Sequence, residues 1–442
     1  MSLVSNPSKS AEQDGNPIQK HKFSSSLLHL PRNVYLLLLF TTGKGFQLSI
    51  GALSINYYLH SLGYRPDFIG LFTATSAIGA LIAAVPTGMF ADRMGRKPVL
   101  LMTAFFSPFF LALIGLVTTA PILLVLGLLQ GMASTAYWVT NLPLLTESST
   151  KEQRIGVLAM NSFLLLGIGS LGNLLGGAIP EVVAGIMHVS AASTEPLRWG
   201  VFVAASFTFV FGLPLWFLRE PPRRQPSVGP AATAAETETP GPAIAKEPRA
   251  LGLFLKLLVP DLFFTMGEGA VVALIQVYFV LRFNLFPGPL GIIFTISGLA
   301  GGLFSLTAPL FVKRWSKLRL ITIVQYLSAP LMILVGFAPT LPLAITGEYA
   351  RSLMRTLIEP VYAAFAMEQV SDRQRATLAG LYSVTWSIGY SVGPAIAGWL
   401  QTTISLSASF VYGAFCLLVA PSLLLLFFGK KRVPQDTVMQ EV

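Results

Sequence analysis

Charge is what this sequence has least of. Asp, Glu, Lys and Arg make up 11% of its 442 residues, against about 25% in a soluble domain. With 53% hydrophobic residues, that deficit excludes an ordinary soluble protein and points to lipid. A single cysteine, Cys416, lies in an apolar run, which excludes a disulfide framework and a thiol metal site. Histidine is nearly absent from the apolar runs: His21 and His29 are N-terminal, and His60 and His188 fall near loops. Any proton chemistry in the membrane therefore has to use carboxylates. No Gly-x4-Gly-Lys-Ser/Thr loop is present to cradle a nucleotide, so ATP-driven work is not expected. The apolar runs hold no metal-ligand cluster and no nucleophile–base set, so no enzyme, metal or cofactor is expected either. A net charge of +10 would suit nucleic acid only on a folded polar domain, and no segment is long and polar enough to make one. The first 32 residues lack the short apolar core and cleavage site of a signal peptide. The first apolar run is therefore expected to stay as a span.

What is present is a series of long apolar runs. A crossing needs roughly 20 apolar residues. Such runs fall at about 34–59, 67–90, 98–119, 121–146, 156–186 and 199–218, and again at 254–283, 288–311, 319–338, 341–368, 375–402 and 406–428. Twelve transmembrane helices are expected, as an all-α membrane protein. Residues 219–253, rich in Ala, Pro, Thr and Glu, read as a flexible linker. The domain order is then an N-terminal tail (1–32), a six-helix bundle (33–218), the linker (219–253), a second six-helix bundle (254–429) and a C-terminal tail (430–442). Basic residues set the orientation. Lys9, Lys20, Lys22, Arg32, Arg93, Arg96, Lys97, Lys151, Arg154, Lys313, Arg314, Lys317, Arg319, Arg373, Arg375 and Lys430–Arg432 fall on one side, and only Arg65, Arg198 and Arg282 on the other. The positive-inside rule makes both termini cytoplasmic, in a multi-pass protein of the cell membrane.

The two sets of six repeat. Adding 221 carries Gly70 to Gly291, Arg93 to Arg314, Pro121 to Pro342, Glu147 to Glu368, Arg154 to Arg375 and Gly172 to Gly393. Each half enters from the same side with an even number of spans, so the repeats are parallel about an axis along the membrane normal.

Between the second and third spans runs Gly88-Met89-Phe90-Ala91-Asp92-Arg93-Met94-Gly95-Arg96-Lys97. This G-x-x-x-D-R-x-G-R-K turn resembles the signature loop of the major facilitator superfamily at every defined position. The resemblance extends over residues 33–430 and implies two six-helix bundles around a central cavity. It also implies a cytoplasmic latch, with Asp92 facing the start of the eleventh helix near Ala376 and Arg93 and Arg96 holding carboxylates or carbonyls, Glu147 among them. Gly88 would allow close helix approach and Gly95 a tight turn. The second-half copy, Pro309–Leu318, has Lys313 where the aspartate would stand and Ser316 for the second glycine. The family's antiporter-associated glycine pattern is incomplete in span five (Gly172, Gly176, Gly177) and fuller in span eleven (Gly380, Gly389, Gly393, Pro394, Gly398), where it indicates close packing rather than a transport mode.

Ionisable residues near a bilayer centre cost about 3 kcal/mol on insertion scales. Lys44, between Gly43 and Gly45, lies mid-span in the first run, and Glu268, between Gly267 and Gly269, in the seventh. Glu348, Arg351, Arg355 and Glu359 share one face of span ten by their spacing. Gln130 and Ser134 are the repeat partners of the two arginines, on a polar face with Tyr137 and Asn141, and span one continues its polar face through Gln47, Ser54 and Tyr58. Two readings stand. In one, three cations and three carboxylates simply neutralise one another. In the other they wall a substrate cavity, Lys44 with Arg351 or Arg355 holding an anionic or polar group and Glu268 or Glu359 carrying a proton. The expected function is secondary transport of a small organic solute by alternating access, coupled to protons, by a monomer in the bilayer. A proton-linked multidrug or metabolite efflux antiporter and a transport-inactive receptor or scaffold are the alternatives.

Overall fold

The computed structural model describes residues 30–150, 153–219, 248–305 and 307–429. The tail cations, Lys151 and the linker prolines from Pro221 to Pro242 lie outside the described residues, as do the side chains of Lys313, Arg373 and Ala376. The chain forms α1 (Arg32–Ser61), α2 (Pro66–Met94), α3 (Arg96–Leu116), α4 (Ala120–Ser148), α5 (Gly156–Met187), α6 (Thr194–Phe217), α7 (Leu251–Phe283), α8 (Pro287–Ser305), α9 (Lys317–Phe337), α10 (Leu341–Glu368), α11 (Asp372–Thr403) and α12 (Ala408–Phe428). A short helix, Ala308–Arg314, follows α8. Among the described residues there is no strand.

Ten of these helices are long and apolar enough to cross a membrane by length and composition. The others are α10, which carries Glu348, Arg351, Arg355 and Glu359, and α11, rich in Ser, Thr and Gly; both have the length but fall short in apolarity. Their place comes from packing: α10 lies against α8 and α9, and α11 against α2, α7 and α12. Outward-facing side chains such as Val85, Ile186, Trp216 and Leu426 are large, apolar and exposed, as a surface in hydrocarbon requires.

The two halves meet firmly at one end, that of the α1–α2 and α7–α8 turns. Arg65 donates to the Thr402 carbonyl (3.2 Å) and the Thr402 hydroxyl accepts from the Asp67 amide (3.1 Å). A Cβ on Gly398 would come within 3.0 Å of Asp67 Cα, and one on Gly291 within 3.2 Å of Gly177 Cα. Glycine is needed at these positions because the α2–α11 and α5–α8 backbones touch. The Thr295 hydroxyl donates to the Ser170 carbonyl (3.1 Å).

Helix α7 breaks between Val272 and Ile275. A broken helix in a bilayer is tolerated only if its freed backbone groups find partners. Asn56 of α1 supplies one, donating to the Ala273 carbonyl and to Gln276 Oε1, both at 3.2 Å. Tyr57 adds a bond to the Leu285 carbonyl (2.8 Å).

Toward the signature-loop end the halves part. No heavy atom lies within 4 Å of a Cβ built on Gly88 of α2 or Gly380 of α11. Gly88, expected to admit a close helix neighbour, has none in this structure.

Candidate functional site

The N-terminal half builds a nest around one ammonium. Gly43 and Gly45 let α1 sit tightly on its own half: a Cβ on Gly43 would be 2.8 Å from the Phe211 ring, and one on Gly45 2.5 Å from the Leu165 carbonyl. That carbonyl belongs to a π-helical turn, Phe163–Ile168, within α5, the kind of irregularity that marks functional sites. Held there, Lys44 is 1% exposed. Its Nζ donates to Gln47 Oε1 (2.6 Å), Ser107 Oγ (3.3 Å) and Ser134 Oγ (3.3 Å). Gln130 donates to the Ser107 oxygen at 3.2 Å. Three acceptors meet the three ammonium protons, and none of them carries charge.

The C-terminal half is built on the same plan with opposite chemistry. Glu268 accepts from Arg351 Nη1 at 2.6 Å and lies 3.9 Å from Arg355 Nε. Arg351 and Arg355 are the residues that the 221 repeat places on Gln130 and Ser134. Lys44 and Glu268 thus occupy corresponding positions over corresponding residues. Glu348 grips Arg351 from the same helix through Nε and Nη2, both at 2.8 Å. A fork-to-fork pair of this kind is both strong and geometrically fixed. Arg355 donates to Glu359 at 3.0 Å, with 25% and 40% of those side chains exposed. The spacing placed these four on one face, and they line up as one network. Lys44 is not part of it.

Asn141 belongs elsewhere. It is buried in a cluster one turn further along, donating to Thr41 Oγ1 (3.2 Å) and Asn161 Oδ1 (3.1 Å), with Tyr137 also bonded to Thr41 (3.2 Å). Tyr58 bonds the Gly115 and Val117 carbonyls and so ties α1 to α3. Among the aromatic side chains Phe46 stacks on Phe207 between α1 and α6, while Trp386 stacks on Tyr390 along α11 itself.

At the signature loop, Gly95 takes φ 97°, a left-handed turn that only glycine makes without strain. Arg96 forms an ion pair with Glu147, and its repeat counterpart Lys317 forms one with Glu368. Arg154 donates to the Thr146 carbonyl (3.3 Å), and its counterpart Arg375 to the Met367 carbonyl (3.2 Å). The second-half loop has lost its aspartate but keeps these anchors. Lys97 donates to the Trp216 carbonyl (2.8 Å). Asp92 and Arg93 are exposed, and among the described residues Asp92 has no hydrogen-bond or ion-pair partner. The expected contact is with the start of α11 near Ala376, where the side chains of Asp372, Arg373 and Ala376 lie outside the described residues.

Two residues escaped the sequence reading. Ser107 of α3 joins Lys44, Gln47 and Gln130, and nothing in its surroundings in the chain marks it. Asp261 of α7, 2% exposed, was legible as a charge in an apolar run but lies near the start of that run, beside Pro260.

The fold recurs in solved transporters. The xylose transporter XylE from E. coli, in an inward open conformation, matches with a TM-score of 0.69 at 13% identity, over 91% of this chain and 98% of that one. The nucleoside transporter NupG matches at 0.67 and 16%, over 90% and 100%. Solute carrier family 22 member 2 of Pongo abelii is 29% identical over 157 residues, 35% of this chain and 25% of that protein's length. The match therefore spans a quarter of that relative. The family model described as Major Facilitator Superfamily matches residues 35–347 and 262–440, so this chain is a membrane protein of the Major Facilitator Superfamily, in which family and fold both indicate a transporter rather than an enzyme.

Proposed function

We propose that the protein is a secondary transporter that moves a small organic solute carrying an anionic group, as an anion or a zwitterion, across the cell membrane by alternating access. The observation that carries this reading is Lys44, a buried ammonium held only by neutral acceptors while every nearby arginine already has a carboxylate. An ionisable side chain kept inside a membrane without a counter-ion is by default a functional-site candidate. An anionic group entering over Gln130 and Ser134 would supply the missing partner. The C-terminal wall, two arginines against Glu268, Glu348 and Glu359, would meet a cationic or hydroxyl-bearing part of the same solute.

The domain order expected from the sequence stands with this reading: bundles 33–218 and 254–429 rocking about the linker 219–253, both termini cytoplasmic, the protein acting as a monomer and driven by protons. The parted signature-loop end is then the cytoplasmic mouth, and the described conformation faces inward. Asp92 waits unlatched in that state, and the family's loop would close when α2 and α11 swing together.

The test is uptake into proteoliposomes under an imposed pH gradient of either sign, with glucuronate, taurine, xylose, uridine and tetraphenylphosphonium as probes. Glucuronate or taurine is expected to be carried. Lys44→Gln removes a charged hydrogen-bond donor, about 1.5–3 kcal/mol, and is expected to raise KM for that solute roughly tenfold or more. Wild-type KM in Lys44→Gln, or carriage of tetraphenylphosphonium alone, contradicts the reading. The gradient sign that drives uptake separates import from an efflux antiporter.

A further inference from the structure

Asp261 is a buried carboxylate without a cation. Among the described residues it forms no ion pair, whereas Glu268 and Glu348 are both held by Arg351, and Glu359 by Arg355. Its Oδ2 lies 2.9 Å from the hydroxyl of Thr385 on α11. That hydroxyl also lies 2.9 Å from the Tyr382 carbonyl. Thr385 donates to the carboxyl, so the partner of Asp261 there is a hydroxyl and not a cation.

The surroundings agree. From α11 the phenol of Tyr382 hydrogen-bonds the carboxyl, as Thr385 does, and from α10 Tyr362 and Glu359 act on it. The Tyr362 hydroxyl is itself engaged with the Leu257 carbonyl (2.7 Å). On α12, Tyr412 and Cys416 lie further along, Cys416 beside Gly267. On α7 itself Lys256 is exposed to the outside and Glu268 is paired. The neighbours are neutral or anionic, so the carboxyl has hydroxyl partners but no cation to offset the cost of burying its charge.

The repeat makes the placement specific. Tyr382 and Tyr362 stand where the 221 offset puts Asn161 and Asn141. In the first half these asparagines form a wholly neutral cluster around Thr41. The second half has replaced both amides by phenols and added an acid.

We propose that Asp261 is the proton-carrying carboxylate of the transport cycle, protonated in this conformation, and that Glu268 is a fixed anchor for Arg351 and not the carrier. A proton from water forms the O–H bond on Asp261 on one side of the membrane. That bond breaks when α11 moves against α7 and water reaches the carboxyl, and the proton leaves to water on the other side. This rests on the transport reading above, but its first test does not.

In purified full-length protein in a maltoside detergent, which has no carbonyl of its own, infrared spectroscopy reads the carbonyl stretch of a protonated carboxylic acid at neutral pH. The band is expected in wild type, lost in Asp261→Asn and kept in Glu268→Gln. No such band in wild type, or a band that survives Asp261→Asn, overturns the proposal whether or not a substrate has been found. In proteoliposomes, with glucuronate or taurine as the probe that wild type accumulates, Asp261→Asn is expected to retain exchange at zero gradient and lose accumulation against a pH gradient. Asparagine mimics the protonated acid, so unchanged thermal unfolding accompanies that loss. Accumulation at the wild-type level in Asp261→Asn sinks the assignment. If no probe is carried by wild type, the transport reading fails and the infrared result still decides the protonation.

Discussion

The side chain of Asn56 in the first half reaches the Ala273 carbonyl in the second, at 3.2 Å, where helix α7 is broken. One amide therefore satisfies a backbone group that the break has freed and ties the halves together at the closed end. Asn56→Ala leaves that carbonyl without a protein partner in the closed state. At about 1–3 kcal/mol for an unsatisfied buried acceptor, the equilibrium is expected to shift roughly tenfold toward the state open at that end. Thiol labelling of Val277→Cys, buried beside this contact, checks it in a Cys416→Ala background. Labelling is expected to accelerate in the Asn56→Ala variant, and an unchanged rate would show that the bond does not hold the seal.

The Arg351 network has an internal asymmetry. Removing the arginine strands buried Glu348 and leaves Glu268 only the longer contact to Arg355 at 3.9 Å, whereas Glu268→Gln leaves Arg351 still held by Glu348. Breaking a buried pair from the side that leaves charge uncompensated costs about 3–5 kcal/mol. Arg351→Met is expected to cost that much in thermal unfolding of the detergent-solubilised protein, and Glu268→Gln clearly less. The double variant Glu268→Gln/Arg351→Met is expected to recover part of the loss. Additive losses would mean that the two residues do not act as one unit.

At the signature loop the expected order of effects is reversed from what a count of charges suggests. The Arg96–Glu147 and Lys317–Glu368 pairs are half exposed, and such pairs contribute about 0–1 kcal/mol. Gly95 sits at φ 97°, where a Cβ costs roughly 1–2 kcal/mol. Gly95→Ala is expected to lower the unfolding temperature more than Glu147→Gln or Glu368→Gln. Equal effects would show that the ion pairs carry more of the loop than their exposure allows.

How much of this was legible in the chain depends on the range of the interaction. Spans, loop signs and the 221 register follow from local composition, and they located Lys44, Glu268 and the α10 face. Helical spacing also placed Glu348 within reach of Arg351. Partner choice was not legible. Lys44 and Glu268 look like a natural pair, each mid-span between glycines, yet each settles on the residues of its own half because the fourth and tenth helices stand nearer than the opposite wall. The α7 break at Ala273-Leu274 carries no proline or glycine to announce it, and the side chain that meets its freed carbonyl, Asn56, is in another helix. The π-helical turn in α5 lies where Gly45 of α1 approaches it closely, again a tertiary contact. The runs at 341–368 and 375–402 read as spans, but α10 and α11 are more polar than the other ten helices, and packing against their neighbours supplies what hydropathy does not.

Alternating access requires the two ends to move in opposition, and pulsed electron paramagnetic resonance measures that directly. With Cys416→Ala as background, one spin-label pair at Met94→Cys and Thr377→Cys spans the open end. A second pair, at Val189→Cys and Phe286→Cys, spans the closed end; all four positions are exposed. Between acid and alkaline pH in nanodiscs, and again on introducing Asn56→Ala, the first distance is expected to shorten whenever the second lengthens. If both distances change in the same direction, or the first stays fixed while the second opens, the two halves do not rock about the Lys44 and Glu268 sites and the proposed mechanism is contradicted.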